Sequence, residues 1–384
     1  MEKHQNFARD LTLIFFAAFF VFVNFYTSVT VIPLYVIELG GDEFFAGLQG
    51  TVFFVSGVIL RFYFGPLADR TGRKVPLLIG AFAFATTPLL LLLVSSCWMF
   101  IPIRIYQGIG LAAFLSSGSS FVADIVPRER LGTYMGAYRL VITLALLTGP
   151  AAAQLVINNY DFAWCFALTF LAGFLAVILI SFLNVSPLPG SGETSLLSNT
   201  LLALKNKVLW PIYFGVFLVS LGYGGILNFA TVYISGETGI SNPGIYFTYF
   251  ALAGICGNLL VGYLSDRLGR KTVVWPSVML LAAGAGSLYF LPQNPGILVV
   301  SSSLAGLGFS GGIAALVAWL VDKAEPKIRA TVLSVQESCI DSAIALGSLL
   351  MGTTGAIIGL PMSFAIIGIM TFMGALVLLM PKES

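Results

Sequence analysis

Histidine is almost absent from this sequence of 384 residues, and its cysteines are few and scattered. The one histidine, His4, lies in the amino-terminal tail, so no imidazole is available inside an apolar segment as a proton carrier or metal ligand. The four cysteines stand singly in or beside apolar runs, at Cys97, Cys165, Cys256 and Cys339. This spacing suits neither a disulfide framework nor a metal site, and we expect neither metal nor cofactor.

Charged residues are also scarce, at 9% of the chain, whereas hydrophobic residues make up 58%. This balance lies well outside the range typical of soluble globular proteins. A hydrocarbon core about 30 Å thick is crossed by roughly 20 apolar residues in a helix. The apolar runs therefore predict an all-α membrane protein with twelve transmembrane helices. The predicted spans are 11–36, 44–65, 75–95, 98–121, 132–157, 162–184, 209–235, 243–264, 273–291, 295–320, 329–354 and 358–380.

The cations are unevenly divided between the two sets of predicted loops. All 19 Lys and Arg residues except Arg61, Arg104 and Arg139 fall in the amino tail, in alternate loops or at the carboxyl end. In the loops of the other set, every charged residue is acidic. The positive-inside rule then predicts a multi-pass protein of the plasma or inner membrane with both termini in the cytoplasm.

The two halves of the sequence repeat each other with an offset of 197–199 residues. Asp124 corresponds to Asp322, and Arg130 corresponds to Arg329. The repeat predicts two pseudo-symmetric six-helix bundles, 1–185 and 208–384. Between them, 186–207 is rich in Ser, Gly and Pro, which is typical of a cytoplasmic linker, with an amphipathic piece at 196–204 lying along the membrane surface.

One polar motif occurs at matching places in the two halves. Gly65–Lys74 reads GPLADRTGRK, and Gly262–Lys271 reads GYLSDRLGRK. The pattern G-x-L-x-D-R-x-G-R-K resembles the signature loop of the major facilitator superfamily of secondary transporters. The resemblance implies the fold of that superfamily, alternating access, and a substrate cavity near the midplane between the halves.

The resemblance also implies a conformational latch. In it, Asp69 would brace the signature loop against Arg329 and against Asp124 at the end of the fourth span, while the glycines of the motif let the backbone turn sharply. The residues that we assign to this latch and its gate are Arg61, Gly65, Asp69, Arg70, Gly72, Arg73, Asp124, Gly149, Pro150, Asp266, Arg270 and Arg329.

Two further segments resemble superfamily motifs. The fourth span contains Arg104 followed by Gln107, Gly108 and Gly110, similar to the fourth-helix pattern of the superfamily. An arginine in hydrocarbon costs between about 2.5 and more than 10 kcal/mol, so it usually faces a polar cavity; snorkelling to the membrane surface is the alternative. Because no strand precedes these glycines and no Walker lysine pattern is present, the sequence does not support ATP as the driver.

The fifth span contains Gly149-Pro150, which resembles the motif of proton-driven drug antiporters. The match is partial, since Ala145, Ala153 and Gln154 replace further glycines of that motif. Gly149-Pro150 would permit a kink and close helix packing. A purely structural kink is the alternative.

Two carboxylates, Glu337 and Asp341, lie one turn apart within the eleventh span. Burial favours the neutral form of a carboxyl group and a nearby arginine favours the ionised form, and a reversible proton carrier needs both influences. We therefore assign Asp341, Glu337 and Arg104 to proton coupling. The resemblance implies that the second and eleventh helices face each other across the cavity, which makes Arg61 a candidate partner for Glu337. A static salt bridge between helices is the alternative.

Other polar groups in the spans are candidates for the wall of the substrate cavity. Each could instead only bond a neighbouring helix. They are Asn24, Arg139, Tyr223, Asn228, Asn258 and Gln336.

Two functions remain open at this point. One is proton-coupled efflux of a small hydrophobic or amphiphilic compound, favoured by Gly149-Pro150 and the acids of the eleventh span. The other is a carrier for an anionic metabolite, sugar derivative, siderophore or lipid, favoured by three arginines against two acids inside the spans. No constellation typical of an enzyme is visible. We expect small-molecule substrate, protons and lipid as partners, no nucleic acid, and a monomer.

Overall fold

The structure, a computed structural model, describes residues 2–127, 130–184, 202–325 and 328–379, with side chains for all of these except 2–6, 69, 330 and 377–379. Twelve long helices account for most of the residues described. They are α1 (Glu2–Glu38), α2 (Glu43–Thr71), α3 (Lys74–Leu91), α4 (Cys97–Ile125), α5 (Leu131–Asn159), α6 (Phe162–Ser181), α7 (Trp210–Glu237), α8 (Ile245–Leu268), α9 (Arg270–Ser287), α10 (Ile297–Lys323), α11 (Arg329–Ile358) and α12 (Leu360–Leu379).

Eleven of these helices are long and apolar enough to cross a membrane, and α12 adds a shorter apolar stretch, Leu360–Leu376. Helices are favoured because hydrocarbon offers no partners to peptide groups, which must therefore bond within their own segment. The all-helical class and the twelve apolar helices predicted from the sequence are confirmed.

The signature motifs are more helical than the sequence suggested. Helix α2 continues through Gly65 to Thr71, and the chain reverses only at Gly72, where φ is +79°. In the second half the turn is a single residue, Gly269, with φ of +89°. Only glycine adopts such angles at little cost. The expected sharp turn at Gly65 is thus corrected: this residue is helical, and open space lies where a Cβ would point.

Helix α4 is not uniform. After a 3₁₀ turn, an α-helical segment (Phe100–Gly110) is followed by a π-helical turn (Leu111–Leu115) and a second α-helical segment (Ser116–Ile125). Single π-turns insert one extra residue into a helix and often occur at functional positions. The residues that follow the π-helical turn are therefore rotated about the helix axis, compared with their positions in an unbroken α-helix.

Contacts divide the chain into two compact units. Unit 1 contains the chain up to Tyr35 and the described residues of 52–184, and unit 2 contains Val36–Thr51 with the described residues from 202 onward. Helix α2 thus begins in unit 2 and ends in unit 1. The linker predicted at 186–207 lies outside the described residues up to 201, and the two-bundle boundaries drawn from the sequence stay a prediction.

Helix α10 forms the centre of packing in unit 2, where it contacts α8 on one side and α9 on the other. Small residues allow both approaches. A Cβ on Gly306 would overlap the carbonyl oxygen of Phe250 in α8, and a Cβ on Gly308 would lie 2.5 Å from the carbonyl oxygen of Ser277 in α9. Close approach through glycine is a principal way for helices to associate within a bilayer, where lipid tails remove the hydrophobic driving force.

In unit 1 a buried amide links three helices. The Nδ2 atom of Asn24 in α1 donates to the carbonyl oxygens of Phe84 in α3, at 2.9 Å, and of Thr169 in α6, at 3.2 Å. Both amide protons are therefore used within the packing of unit 1.

We expect Gly306→Ala to destabilise the protein by about 1–3 kcal/mol, because the added methyl group must push α8 away from α10. Thermal unfolding in detergent measures this. Gly262→Ala on α8 is the matched control, since open space surrounds that glycine; its melting temperature should be unchanged or higher. Equal losses in the two variants would contradict the packing described for α10.

Candidate functional site

An ion pair fixes the signature turn of unit 1. The Nε atom of Arg73, directly after Gly72, lies 3.1 Å from Oδ2 of Asp124 at the end of α4. The next residue, Lys74, donates from Nζ to the carbonyl oxygens of Ser181 at 2.8 Å and Leu183 at 2.7 Å, at the end of α6. A cation at a helix carboxyl end is electrostatically favourable. The turn is thereby tied to two other helices of its own unit.

The same arrangement recurs in unit 2. The Nε atom of Arg270 lies 2.9 Å from Oδ2 of Asp322 at the end of α10, and its Nη1 atom donates to Asp266 and, at 2.7 Å, to Oγ of Ser265. The second arginine of each signature motif therefore pairs with the aspartate that ends the fourth helix of its own half. We call these two ion pairs the clamps.

The latch expected through Asp69 stays a prediction, because the side chain of Asp69 lies outside the described residues. Arg70 and Arg329 are both exposed. Asp124 does meet the signature motif, but through Arg73. The sequence identified both partners as candidates and did not identify the pairing.

The most deeply buried charge that the structure describes is Arg104 in α4, with no exposed surface. Its guanidinium carbon lies 4.4 Å from the ring centroid of Phe53 in α2, and Nη1 donates to Oε1 of Gln107. Cation–π contacts of this kind contribute about 2 kcal/mol or more when desolvated. The Nε2 atom of Gln107 is buried and finds no hydrogen-bond partner among the described residues.

The glycines that follow Arg104 are explained by packing. A Cβ on Gly108 would overlap Oγ of Ser56 in α2, and a Cβ on Gly110 would lie 2.7 Å from the ring of Phe84 in α3. The motif therefore places α4 against two neighbours and holds the guanidinium group beside Phe53.

The two carboxylates of α11 differ in environment. Asp341 is buried, with 6% of its surface exposed, whereas Glu337, one turn earlier, is exposed. A helical repeat puts them on one face, but only neighbouring helices decide which of the two is covered. Arg61 in α2 is also buried, with 9% of its surface exposed.

The remaining cavity candidates divide into buried and exposed groups. In unit 2, Tyr223 is buried, and its ring centroid lies 3.8 Å from that of Phe309 and 5.4 Å from that of Phe250. Asn228 and Gln336 are also buried, and among the described residues Oδ1 of the first and Nε2 of the second find no hydrogen-bond partner.

The exposed members of this group are Arg139 and Asn258. Asn24, by contrast, is fully buried and has both amide protons bonded, as described above. These positions keep Arg139 and Asn258 accessible to solvent or lipid, and they give Asn24 a bracing role within unit 1.

Small residues form a contact within unit 2 that was not predicted from the sequence. The hydroxyl of Ser348 in α11 donates to the carbonyl oxygen of Gly47 at 3.0 Å, and that of Thr51 donates to the carbonyl oxygen of Ala345 at 3.0 Å. A Cβ on Gly50 would lie 2.5 Å from Oδ1 of Asn228. The spacing of Gly47, Gly50 and Thr51 places these small residues on one face of α2. This pattern is the feature of the sequence that could have indicated the contact.

Gly149 and Pro150 are buried inside α5, which is continuous from Leu131 to Asn159. A Cβ on Gly149 would lie 3.4 Å from Oγ1 of Thr27 and from the carbonyl oxygen of Val23 in α1, an ordinary contact. The pair thus lies where α5 packs against α1, and it does not end the helix.

Comparison with known families identifies the class. The sequence profile described as Major Facilitator Superfamily matches residues 14–247 and 212–384. The chain belongs to this superfamily, which is made of transporters, and it is a multi-pass membrane protein.

Among known relatives, the chain is similar to Multidrug resistance protein MdtG of Salmonella dublin. The two are 25% identical over 374 residues, which cover 94% of this chain and 92% of the relative. The protein of the same name from Salmonella typhi is also 25% identical over the same length.

Solved structures share the fold. A mutant form of the nucleoside transporter NupG gives a TM-score of 0.82 at 13% identity and covers 96% of this chain and 98% of its own. A bacterial homologue of the human lysosomal transporter Spinster gives 0.82 at 15% identity and covers 97% of this chain and 96% of its own. At these identities the likeness is one of fold.

We expect Asp124→Asn and Asp322→Asn to slow transport far more than they reduce stability. Both ion pairs are partly exposed, so each contributes only about 0–1 kcal/mol to folding. Transport rate in proteoliposomes and thermal unfolding of the same preparations separate the two effects. Glu325→Gln is the control, because this exposed acid follows α10 closely and forms no ion pair with any residue that the structure describes. We expect the slower transport because Asp124 belongs to the conformational latch that the signature motif implies, and Asp322 is its counterpart in the second half. A loss of transport that only follows a loss of folded protein would contradict that role.

Proposed function

We propose that this protein is a proton-coupled antiporter that exports small hydrophobic or amphiphilic compounds by alternating access. The observation that carries the proposal is the end-to-end similarity to the multidrug resistance proteins, over 94% of the chain. The partial Gly149-Pro150 motif of drug antiporters supports it. We further propose an inner-membrane location, cytoplasmic termini and function as a monomer, on the basis of the loop charges and the internal repeat.

We assign proton binding to Asp341. It is a buried carboxylate on an apolar helix, and intramembrane carboxylates commonly belong to proton relays. Glu337 is exposed, so we use it as the experimental control and not as the proposed proton carrier. Protonation of Asp341 would remove a charge from α11 and so favour one of the two alternating states over the other.

An amphiphilic substrate fits the chemistry of the buried groups. Tyr223, Phe250 and Phe309 form an aromatic cluster of unit 2, and aromatic faces bind apolar bodies and cations without strict geometry. The free amide atoms of Asn228 and Gln336 offer a few directional contacts. Ligand sites typically combine a largely apolar lining with few polar groups.

Asp341→Asn should abolish uphill transport, because a carboxamide cannot carry the proton. The assay uses proteoliposomes with the amphiphilic dye ethidium as substrate, an imposed pH gradient, and a trapped pH indicator. Downhill dye exchange without a gradient should remain. Glu337→Gln, one turn away on the same helix, should keep both activities.

Transport of ethidium by the unaltered protein that is equally fast with and without a pH gradient would contradict proton coupling. Loss of coupling in Glu337→Gln alone would move the carrier from Asp341 to Glu337.

A second candidate function rests on Arg104. A fully buried guanidinium group in an apolar helix is the group that binds a carboxylate or phosphate best, because its donors form a planar fork. A carrier of an anionic metabolite, sugar derivative, siderophore or lipid would use it in this way.

Arg104→Gln separates the two functions. For an anion carrier we expect loss of anion-dependent thermal stabilisation. For a drug exporter, downhill exchange of ethidium should persist, reduced only in proportion to folding. Phe53→Leu is the companion variant, because it removes the aromatic contact with the guanidinium group and keeps the charge. An unchanged anion response in Arg104→Gln would exclude the second function.

A further inference from the structure

An open cavity of about 450 Å³ lies at the surface of unit 2, at the end that carries the signature turn. Pockets of this size are large enough for a small ligand or head group. The lining residues come from the turn, the first residues of α9 and the last turns of α10. They are Gly269, Arg270, Lys271, Thr272, Trp319, Asp322 and Lys323.

The charge of this lining is positive. It contains three cations and one carboxylate, Asp322, which is already paired with Arg270. Lys271 and Lys323 are exposed, and neither forms an ion pair with any residue that the structure describes. Among the described residues, one further acid pairs with a cation of the lining: Asp266 also pairs with Arg270. Two ammonium groups therefore remain available for an anion.

The internal repeat provides a comparison within the same chain. In unit 1, the positions that correspond to Thr272, Trp319 and Lys323 are Val75, Phe121 and Ile125. The counterpart of Lys271 is Lys74, whose ammonium group is bonded to two carbonyl oxygens at the end of α6. The clamp is common to both units, but three side chains that line the cavity in unit 2 have apolar counterparts in unit 1, and the ammonium group of Lys74 is already bonded.

The surroundings of the cavity indicate the kind of anion. Trp319 is half-buried near the end of a membrane helix, and tryptophan is enriched at the level of lipid head groups. Basic pockets between helices at this level suit phosphate-bearing head groups, with each cation near an anionic surface contributing attraction. Thr272 adds a hydroxyl donor to the same cavity.

We propose that this cavity is a binding site for a phosphate-bearing anion, supplied as the head group of an anionic phospholipid, with Lys271 and Lys323 as its charge contacts. The site lies on unit 2 alone and does not depend on the transported substrate.

The test measures lipid binding to the purified full-length protein in neutral detergent. Dioleoyl phosphatidylglycerol should bind and raise the melting temperature, and dioleoyl phosphatidylcholine should not. The double variant Lys271→Gln and Lys323→Gln should bind phosphatidylglycerol about thirtyfold more weakly, the loss expected for two cations at the membrane surface. Native mass spectrometry gives the affinity, and both side chains are exposed, so the variant should fold normally.

A matched control removes two other exposed lysines, Lys205→Gln with Lys207→Gln, which lie just before α7. This control should bind phosphatidylglycerol as the unaltered protein does. Equal weakening in both double variants would overturn the proposal, because it would indicate general attraction between charges. Inorganic phosphate at millimolar concentration should give no protection; protection by phosphate alone would overturn the lipid source and keep the phosphate site.

Discussion

The structure depends on one constraint: inside a bilayer, peptide groups find no partner except one another. Helices meet that requirement within each segment, so most of the described residues are helical. Charged residues make up only 9% of the chain. Association between helices must then come from contact at short range. Gly306 and Gly308 allow close contact on two sides of α10. In unit 1, the side-chain amide of Asn24 in α1 links α3 and α6 through two hydrogen bonds.

The sequence predicted the class, the number of apolar helices and the family well, because hydropathy and a twice-repeated motif are local signals. It predicted less about which residues meet. Asp124 and Arg73 were both candidates, but their pairing depends on where α4 ends relative to α3. Glu337 and Asp341 share a helical face and differ in burial, which is decided by neighbouring helices and leaves no trace in the spacing.

The two halves show how a repeat can keep one interaction and change its surroundings. Each retains an arginine after the turn glycine and an aspartate at the end of its fourth helix. Around that common geometry, apolar residues in unit 1 are replaced by a threonine, a tryptophan and a lysine in unit 2. The shared ion pair ties the turn to the fourth helix in each half, while the differing residues place a cationic cavity beside the turn in unit 2.

The π-helical turn at Leu111–Leu115 has a further effect on α4. One inserted residue rotates everything that follows by about 100°, so a helical wheel drawn for an unbroken helix places Arg104 and Asp124 at the wrong angle to each other. The inserted residue lets a single rod present its guanidinium group to Phe53 and its terminal carboxylate to Arg73. Shortening that turn by one residue would restore regular winding and swing the carboxylate away from its partner.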